Sequence, residues 1–318
     1  VNLIKKFPSK IRPYIVLSDI LKIENRLLEA EQVLLLARNV DPGNSDLLYN
    51  FSRLYWSGKN YGLALKNINK AIDLNNNIDT YKIFKSDVLI CRDQIDEALS
   101  ILSVLKSDEK NNNQLQINIL ISKIYIRKKM FKNAEEILFE MVKEYNHLEI
   151  GYLNLSNLYI VNKELDKGLN ILKKGIIKFP KYIPFYKNLA IIYKNKGQLN
   201  KAKECHLSII KENKFDFNSY YELSIIYDFE DHKDDLNLLL KTNLNKLDSS
   251  SKIHASFALA NIFHKKKEYE KGAFFLKIAN DESLKISKSS YEVRIKNAEF
   301  VRSLDIKKLK CKNISSSK

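Results

Sequence analysis

The sequence predicts an all-α protein, a right-handed superhelical solenoid made of antiparallel pairs of helices. The first observation is a repeat: Ala30, Ala64 and Ala98 lie 34 residues apart, and a fixed period of this length indicates stacked structural units. The second is the composition, in which eight Gly and five Pro among 318 residues are too few for the many turns of a sandwich or barrel. Long helices joined by short turns suit both observations. The spacing continues, with two slips of two residues, through Ala134, Gly168, Ala202, Leu236 and Gly272.

The first helix of each unit is predicted from large apolar residues at positions 4, 7 and 11 of the repeat and a small residue at position 8. This spacing places all four on one face of a helix with 3.6 residues per turn. The small residue lets a neighbouring helix approach closely. Position 8 holds Ser18, Ser52, Ser86, Ser122, Ser156, Ala190, Ser224 and Ala260.

The second helix of each unit follows the same logic at positions 17, 20, 24 and 27, as in Tyr61, Ala64, Ile68 and Ala71. A proline at position 32, such as Pro42, ends this helix and turns the chain. Because one pair of helices cannot bury its apolar face alone, we expect stability to come from the stacking of neighbouring pairs.

This pattern resembles that of the tetratricopeptide repeat family. The resemblance covers residues 11–286 and implies a solenoid whose concave surface binds peptides or proteins. It weakens at Lys85 and Lys233, which stand where an apolar residue is usual, so we expect the third and seventh repeats to be the loosest. The predicted repeats span 11–44, 45–78, 79–112, 115–148, 149–182, 183–216, 217–250 and 253–286.

Both ends of the chain depart from this pattern. Residues 1–10 resemble the end of a second helix, because Lys6-Phe7-Pro8 matches Lys178-Phe179-Pro180 in sequence and in its distance from the following repeat. Residues 1–10 are therefore interpreted as the remnant of a preceding repeat; the alternative is a short N-terminal capping turn. Residues 287–304 carry apolar residues on one helical face and are predicted to form a capping helix. The polar, basic segment 305–318 is predicted to be a linker or tail.

The composition argues against several classes of protein. No run of eighteen apolar residues suggests a membrane span, and Val1–Lys10 shows no signal-peptide pattern. The three cysteines are scattered and form no C-x-x-C pair, which disfavours a disulfide framework or a zinc site. We therefore expect a soluble, cytoplasmic protein without a membrane partner.

The net charge of +16 raises the question of nucleic acid. Lysines cluster at the turns between helices, as in Arg127-Lys128-Lys129, and a nucleic-acid groove needs such a ribbon with aromatic residues for stacking. Acidic residues of the seventh repeat, Asp228 and Glu230 among them, interrupt the ribbon. A solvated basic face is therefore favoured over a nucleic-acid groove.

No catalytic motif is recognisable. The five histidines show no paired metal-ligand spacing. The sequence Gly58-Lys59-Asn60-Tyr61-Gly62 is the nearest candidate for a phosphate-binding loop, but it coincides with a turn between helices. This chain is therefore predicted not to be an enzyme, and no cofactor, metal or small-molecule site of its own is expected.

The candidate binding surface is a second stripe on each first helix, at positions 2, 5, 9 and 12. The family resemblance places this stripe on the concave face. Apolar residues there hint at binding, although they could equally contact neighbouring helices, and Trp56 is the preferred anchor. The candidate groove residues are Tyr49, Asn50, Arg53, Trp56, Asn154, Asn157, Asn188, Tyr221 and Asn261.

Three of these candidates, Asn50, Asn154 and Asn188, share position 6 of their repeats. Their resemblance to sugar-transferring tetratricopeptide proteins implies that an Asn there holds the backbone of a bound peptide. An Asn amide donates to a carbonyl and accepts from an N–H at the same time. Because Asn is abundant throughout this chain, a chance match remains open.

The segment from Ile253 to Tyr291, with Ile253-His254-Ala255-Ser256-Phe257-Ala258-Leu259-Ala260, Gly272-Ala273-Phe274 and Ala279-Asn280, resembles the end of the repeat region in bacterial tetratricopeptide-containing sulfotransferases. The resemblance implies a catalytic domain after this chain, which would bind the phosphosulfate donor PAPS. PAPS is expected only for such a missing C-terminal domain. The alternative is a stand-alone adaptor with no enzymatic partner domain.

Overall fold

A computed structural model of the chain describes residues 9–24, 26–108, 111–227 and 233–286, together with Ile4, Phe7 and Phe229. Within these residues the protein contains sixteen α-helices, one short 3-10 helix and no strand. The predicted all-α fold is confirmed. The proposed capping helix at 287–304, the tail at 305–318 and most of the N-terminal remnant lie outside the described residues.

The chain divides into two compact units, Val1–Asn188 and Leu189–Lys318. The first unit contains α1 (Arg12–Ile23), α2 (Leu27–Val40), α3 (Ser45–Ser57), α4 (Tyr61–Leu74), α5 (Asp79–Cys91), α6 (Ile95–Lys106), α7 (Gln114–Arg127), α8 (Phe131–Glu144), α9 (Glu149–Val161) and α10 (Leu165–Lys178). The boundary falls within α11 (Ile183–Asn195). The second unit contains α12 (Leu199–Glu212), α13 (Phe217–Ile226), α14 (Lys233–Lys241), the 3-10 helix Leu244–Lys246, α15 (Ser249–Lys265) and α16 (Tyr269–Ile286).

In the first unit, consecutive helices form pairs, and the second helix of each pair also packs on the first helix of the next. The small residues that defined the repeat lie at these contacts. Ala30, Ala64 and Ala98 are completely buried, and Ser52 on α3 donates its hydroxyl to the carbonyl of Ala64 on α4 at 2.7 Å. A larger residue at position 8 would push the two helices apart, which explains why the position stays small.

The third repeat is better packed than its Lys85 suggested. The Lys85 ammonium lies 3.4 Å from the Glu97 carboxylate, so the side chain leaves the core and pairs with the second helix. Ile83 and Leu89, on the same helix, are completely buried in a core cluster that continues into α7 and α8. The core of this repeat is therefore built from other residues of α5.

The seventh repeat departs further from the pattern. Its helices α13 and α14 are the shortest of the described α-helices, and α13 packs on α12 and α15. Phe229, between the two, adopts φ 64° and is completely buried, with its ring stacked on Tyr220. A left-handed conformation costs a non-glycine residue about 1–2 kcal/mol, and burial of the phenyl ring offsets this cost. Phe229 thus supplies apolar contact that Lys233 does not.

The first helix of the eighth pair starts earlier than predicted. Asp248 accepts hydrogen bonds from the N–H groups of Ser250 and Ser251, and this cap begins α15 at Ser249. The two-residue insertion predicted at 251–252 therefore lies inside the helix. The slip in the repeat spacing is absorbed by an additional turn at the start of α15.

Candidate functional site

A cavity of about 460 Å³ lies in the first unit, between the first helices of three successive pairs. It lies among α1, α3 and α5, all three of which carry the predicted inner stripe. Two predicted groove residues, Arg53 and Trp56, line it. The complete lining is Asp19, Lys22, Ile23, Arg53, Trp56, Ser57 and Phe84.

The position of these side chains follows from how α3 is held. Asn44 caps the helix by accepting a hydrogen bond from the N–H of Leu47 at 3.0 Å. Phe51 and Leu54 face the core and are buried. Arg53 and Trp56, three residues apart, share a different face of the same helix. Burial of the core stripe therefore fixes the inner stripe, because both belong to one rigid helix.

Three charged groups meet at the cavity. The Lys22 ammonium lies 2.5 Å from the Asp19 carboxylate, and the Arg53 guanidinium lies 3.3 Å from the same oxygen. Only 8% of the Lys22 side chain is exposed. Burial lowers the pKa of Lys22, and the nearby Arg53 charge lowers it further, while the hydrogen bond to Asp19 opposes both effects. Two cations share one carboxylate, so the cavity keeps one positive charge in excess.

Aromatic rings form the other side of the site. Trp56 and Phe84 meet edge to face with centroids 6.2 Å apart, and Phe84 contacts Tyr49 in the same manner at 5.4 Å. Tyr49 stacks on Tyr81 at 5.0 Å, and the Arg53 guanidinium lies 5.7 Å from the centre of the Tyr49 ring. The indole N–H of Trp56 is buried and has no acceptor among the residues that the structure describes. These rings hold Arg53 and Trp56 in place and offer apolar contact.

Two of the predicted asparagines are engaged inside the protein. Asn50 is 5% exposed and donates to the carbonyl of Asp46 at 2.8 Å. Asn188 is 8% exposed and donates to Ser156 at 2.8 Å and to Asn157 at 2.7 Å. Both amides therefore bond to the chain itself, and the second joins α11 to α9.

The other predicted residues lie elsewhere. Asn154 donates to the carbonyl of Ile150 in its own helix at 2.9 Å, and Asn157 is exposed. In the second unit, Asn261 donates to Ser224 at 3.0 Å, and Tyr221 contacts other aromatic rings of that unit. None of these four lines the cavity, and their role in binding stays a prediction.

Five lining residues were not among the predicted groove residues: Asp19, Lys22, Ile23, Ser57 and Phe84. The signal was present for two of them: Asp19 and Lys22 occupy positions 9 and 12 of the first repeat, as Arg53 and Trp56 do in the second. Phe84 stands at position 6, where Asn had been sought. Positions 9 and 12 of the first repeat therefore predict that Asp19 and Lys22 lie on the inner stripe, as Arg53 and Trp56 do.

Three kinds of site can be tested on the described residues: a metal site, a membrane span and a reactive cysteine. Across the described ranges, no group of three His, Cys, Asp or Glu residues could hold a metal ion. None of the described helices is long and apolar enough to cross a membrane. Burial raises the pKa of the Cys205 thiol to about 12, so this cysteine is not a thiolate nucleophile at neutral pH.

Comparison with known proteins agrees with this architecture. Residues 45–78, which form α3 and α4, match the family model of the tetratricopeptide repeat. A tetratricopeptide repeat protein from Parabacteroides merdae is similar at a TM-score of 0.53 and 16% identity, over 85% of this chain and 98% of that chain. No curated protein matches.

Two further solved structures resemble the chain. IFIT1, solved as a monomeric mutant with Gppp-AAAA, gives a TM-score of 0.52 at 14% identity, over 82% of this chain and 67% of that one. The Cut9–Hcn1 hetero-tetramer of the APC/C gives 0.52 at 14% identity, over 71% and 44%. At such identities the likeness shows the fold, which is the all-α tetratricopeptide type. Proteins built from this repeat generally serve as scaffolds that bind proteins or peptides.

Proposed function

We propose that this chain binds a segment of a partner protein on the inner stripe of its first unit, with the cavity among α1, α3 and α5 as the anchoring point. The observation that carries the proposal is the lining of that cavity. Arg53 and Trp56 reach it from a helix whose other face is buried in the core. Arg and Trp are among the residues that most often dominate the free energy of protein–protein binding.

The site is also held in shape before any partner arrives. The Arg53 guanidinium is fixed by Asp19, by the Tyr49 ring and by the side-chain oxygen of Asn50 at 3.1 Å. Trp56 is held against Phe84. A binding surface whose side chains are already ordered loses less conformational entropy on association, so more of the contact energy appears as affinity.

Selection of short peptides from a random library on the intact protein tests this proposal. We expect peptides to be recovered whose affinity falls about tenfold or more when Arg53 is replaced by Ala, because removal of a central anchor typically costs at least ~1.4–2 kcal/mol. Arg92→Ala is the matched control, since Arg92 is exposed and does not line the cavity. Equal loss in both variants, or failure to select any peptide, would argue against the proposal.

A second proposal rests on the sequence resemblance of residues 253–291 alone: that this chain accompanies a PAPS-dependent sulfotransferase domain and presents substrates to it. The coding sequence that follows Lys318 tests this second proposal. A strand followed by a phosphate-binding loop, encoded shortly after Lys318, would support the proposal. A stop codon directly after Lys318 would leave the stand-alone adaptor.

A further inference from the structure

Resting on the proposed function, we infer that the cavity among α1, α3 and α5 receives a carboxylate of the partner, held between the Lys22 ammonium and the Arg53 guanidinium. The lining residues carry two positive charges and one negative charge. A single entering carboxylate makes the site neutral.

Lys22 gives the strongest reason for an anion. Its side chain is 92% buried, since only 8% is exposed, and its one carboxylate partner, Asp19, is shared with Arg53. A buried ammonium whose carboxylate partner also pairs with a second cation is incompletely neutralised, and its burial therefore costs free energy. The lowered pKa of Lys22 reflects this deficit, which follows from burial first. A second carboxylate beside it would remove the deficit.

Arg53 offers donors in the geometry that a carboxylate uses. Its contacts with Asp19 and with the Asn50 side chain both involve Nη1. Nη2 and Nε find no acceptor among the described residues, and two parallel N–H donors of a guanidinium bind the two oxygens of a carboxylate. The Trp56 indole N–H also lacks an acceptor in the described part of the chain, but its nitrogen is buried, so Trp56 contributes ring contact to the lining and no donor.

The charge balance favours a carboxylate over a phosphate. A phosphate monoester carries about −1.5 to −2 at neutral pH and would leave the half-enclosed cavity with an excess of negative charge. The apolar side chains of Ile23 and Phe84 complete the lining. The partner segment is therefore expected to carry an acidic group next to an apolar residue.

The test uses the intact protein and short peptides that are acetylated and amidated, in matched pools whose central residue is Glu, Gln or phosphoserine. A fourth pool carries Gln at the centre and a free C-terminal carboxylate. Affinities are measured by the anisotropy of a dye on the peptide, for the wild type and for Lys22→Met and Arg53→Gln. Lys70→Met, an exposed position on α4, is the control for net charge.

We expect the wild type to bind the best Glu peptides about tenfold more tightly than their Gln counterparts, as a charge-assisted hydrogen bond implies. This preference should fall to near unity in Lys22→Met and Arg53→Gln and persist in Lys70→Met. If the Gln peptides with a free C-terminal carboxylate bind as tightly as the Glu peptides, the bound carboxylate is that of a chain end. If they bind as weakly as the amidated Gln peptides, the bound carboxylate is that of the Glu side chain. Because the Arg53 side chain is 39% exposed, its replacement by Gln should leave the fold intact. Thermal melts followed by circular dichroism check that both cavity variants are folded.

Other outcomes overturn the inference. If the wild type binds Glu and Gln peptides equally well, the cavity does not recognise a carboxylate, although the proposed function of peptide binding stands. A Glu preference that survives in both cavity variants places the acidic contact elsewhere. Tighter binding of phosphoserine than of Glu contradicts the charge balance. If the wild type binds none of the pools, the proposed function falls together with the inference.

Discussion

Replacement of Leu155 by Ala is expected to lower the free energy of unfolding by about 2–5 kcal/mol, the usual range for deletion of a fully buried leucine side chain. Leu155 on α9 is completely buried in a core cluster that α7 and α8 also contribute to. The lost contacts and the remaining cavity both contribute to this cost. Because each pair contacts only its neighbours, hydrogen exchange should accelerate mainly in α7 to α10.

Asn154→Ala, one residue earlier, is the matched control. Asn154 bonds only within its own helix in the described structure, and Ala has the higher helix propensity. We expect a change within about 1 kcal/mol. Chemical denaturation followed by circular dichroism compares the two variants with the wild type. Equal destabilisation of both would contradict the assignment of core and inner faces on α9.

Gly175→Ala is expected to destabilise the protein, although Ala is ordinarily the better helix former. A Cβ at position 175 on α10 would lie 2.8 Å from one carbon of the Phe185 ring and 3.3 Å from the Cβ of Tyr152. Phe185 is completely buried, so its ring has little room to move. Overpacking costs about 1–3 kcal/mol, which outweighs the ~1 kcal/mol gained in helix propensity.

Gly62→Ala shows the opposite balance. A Cβ at Gly62 on α4 would meet only the side-chain oxygen of Asn60, at 3.8 Å, which is an ordinary contact. We expect this variant to gain up to ~1 kcal/mol from helix propensity alone. Denaturation midpoints of the two Gly→Ala variants should therefore move in opposite directions. Shifts of the same sign would show that Phe185 does not confine position 175.

The fold could be predicted from the sequence because small side chains recur with the period of the solenoid. Ala30, Ala64 and Ser52 must be small where two helices meet, and a small residue recurs at position 8 of every predicted repeat. The packing of Phe229 could not be predicted from the repeat. Its burial depends on a left-handed backbone conformation outside any helix, and no periodic pattern reports such a turn.

The candidate site was predictable only in part. Trp56 was the preferred anchor and Arg53 was among the nine candidates, because both lie on the inner stripe. The hydrogen bonds of Asn50 and Asn188 to the chain itself were not predictable, because position alone does not tell whether an amide faces solvent or bonds to the chain. Asp19 and Lys22 lie on the same stripe in the first repeat, but the burial of Lys22 depends on three-dimensional packing that the stripe does not report.

Trp56 allows a direct measurement of the central claim, that a partner segment binds at the cavity among α1, α3 and α5. It is the only tryptophan in the chain, so the tryptophan fluorescence of the intact protein reports on this cavity. Saturation with a selected peptide should reduce acrylamide quenching and move the emission to shorter wavelength, because the peptide replaces water beside the ring. A peptide that binds by anisotropy yet leaves both quenching and emission unchanged would contradict the account.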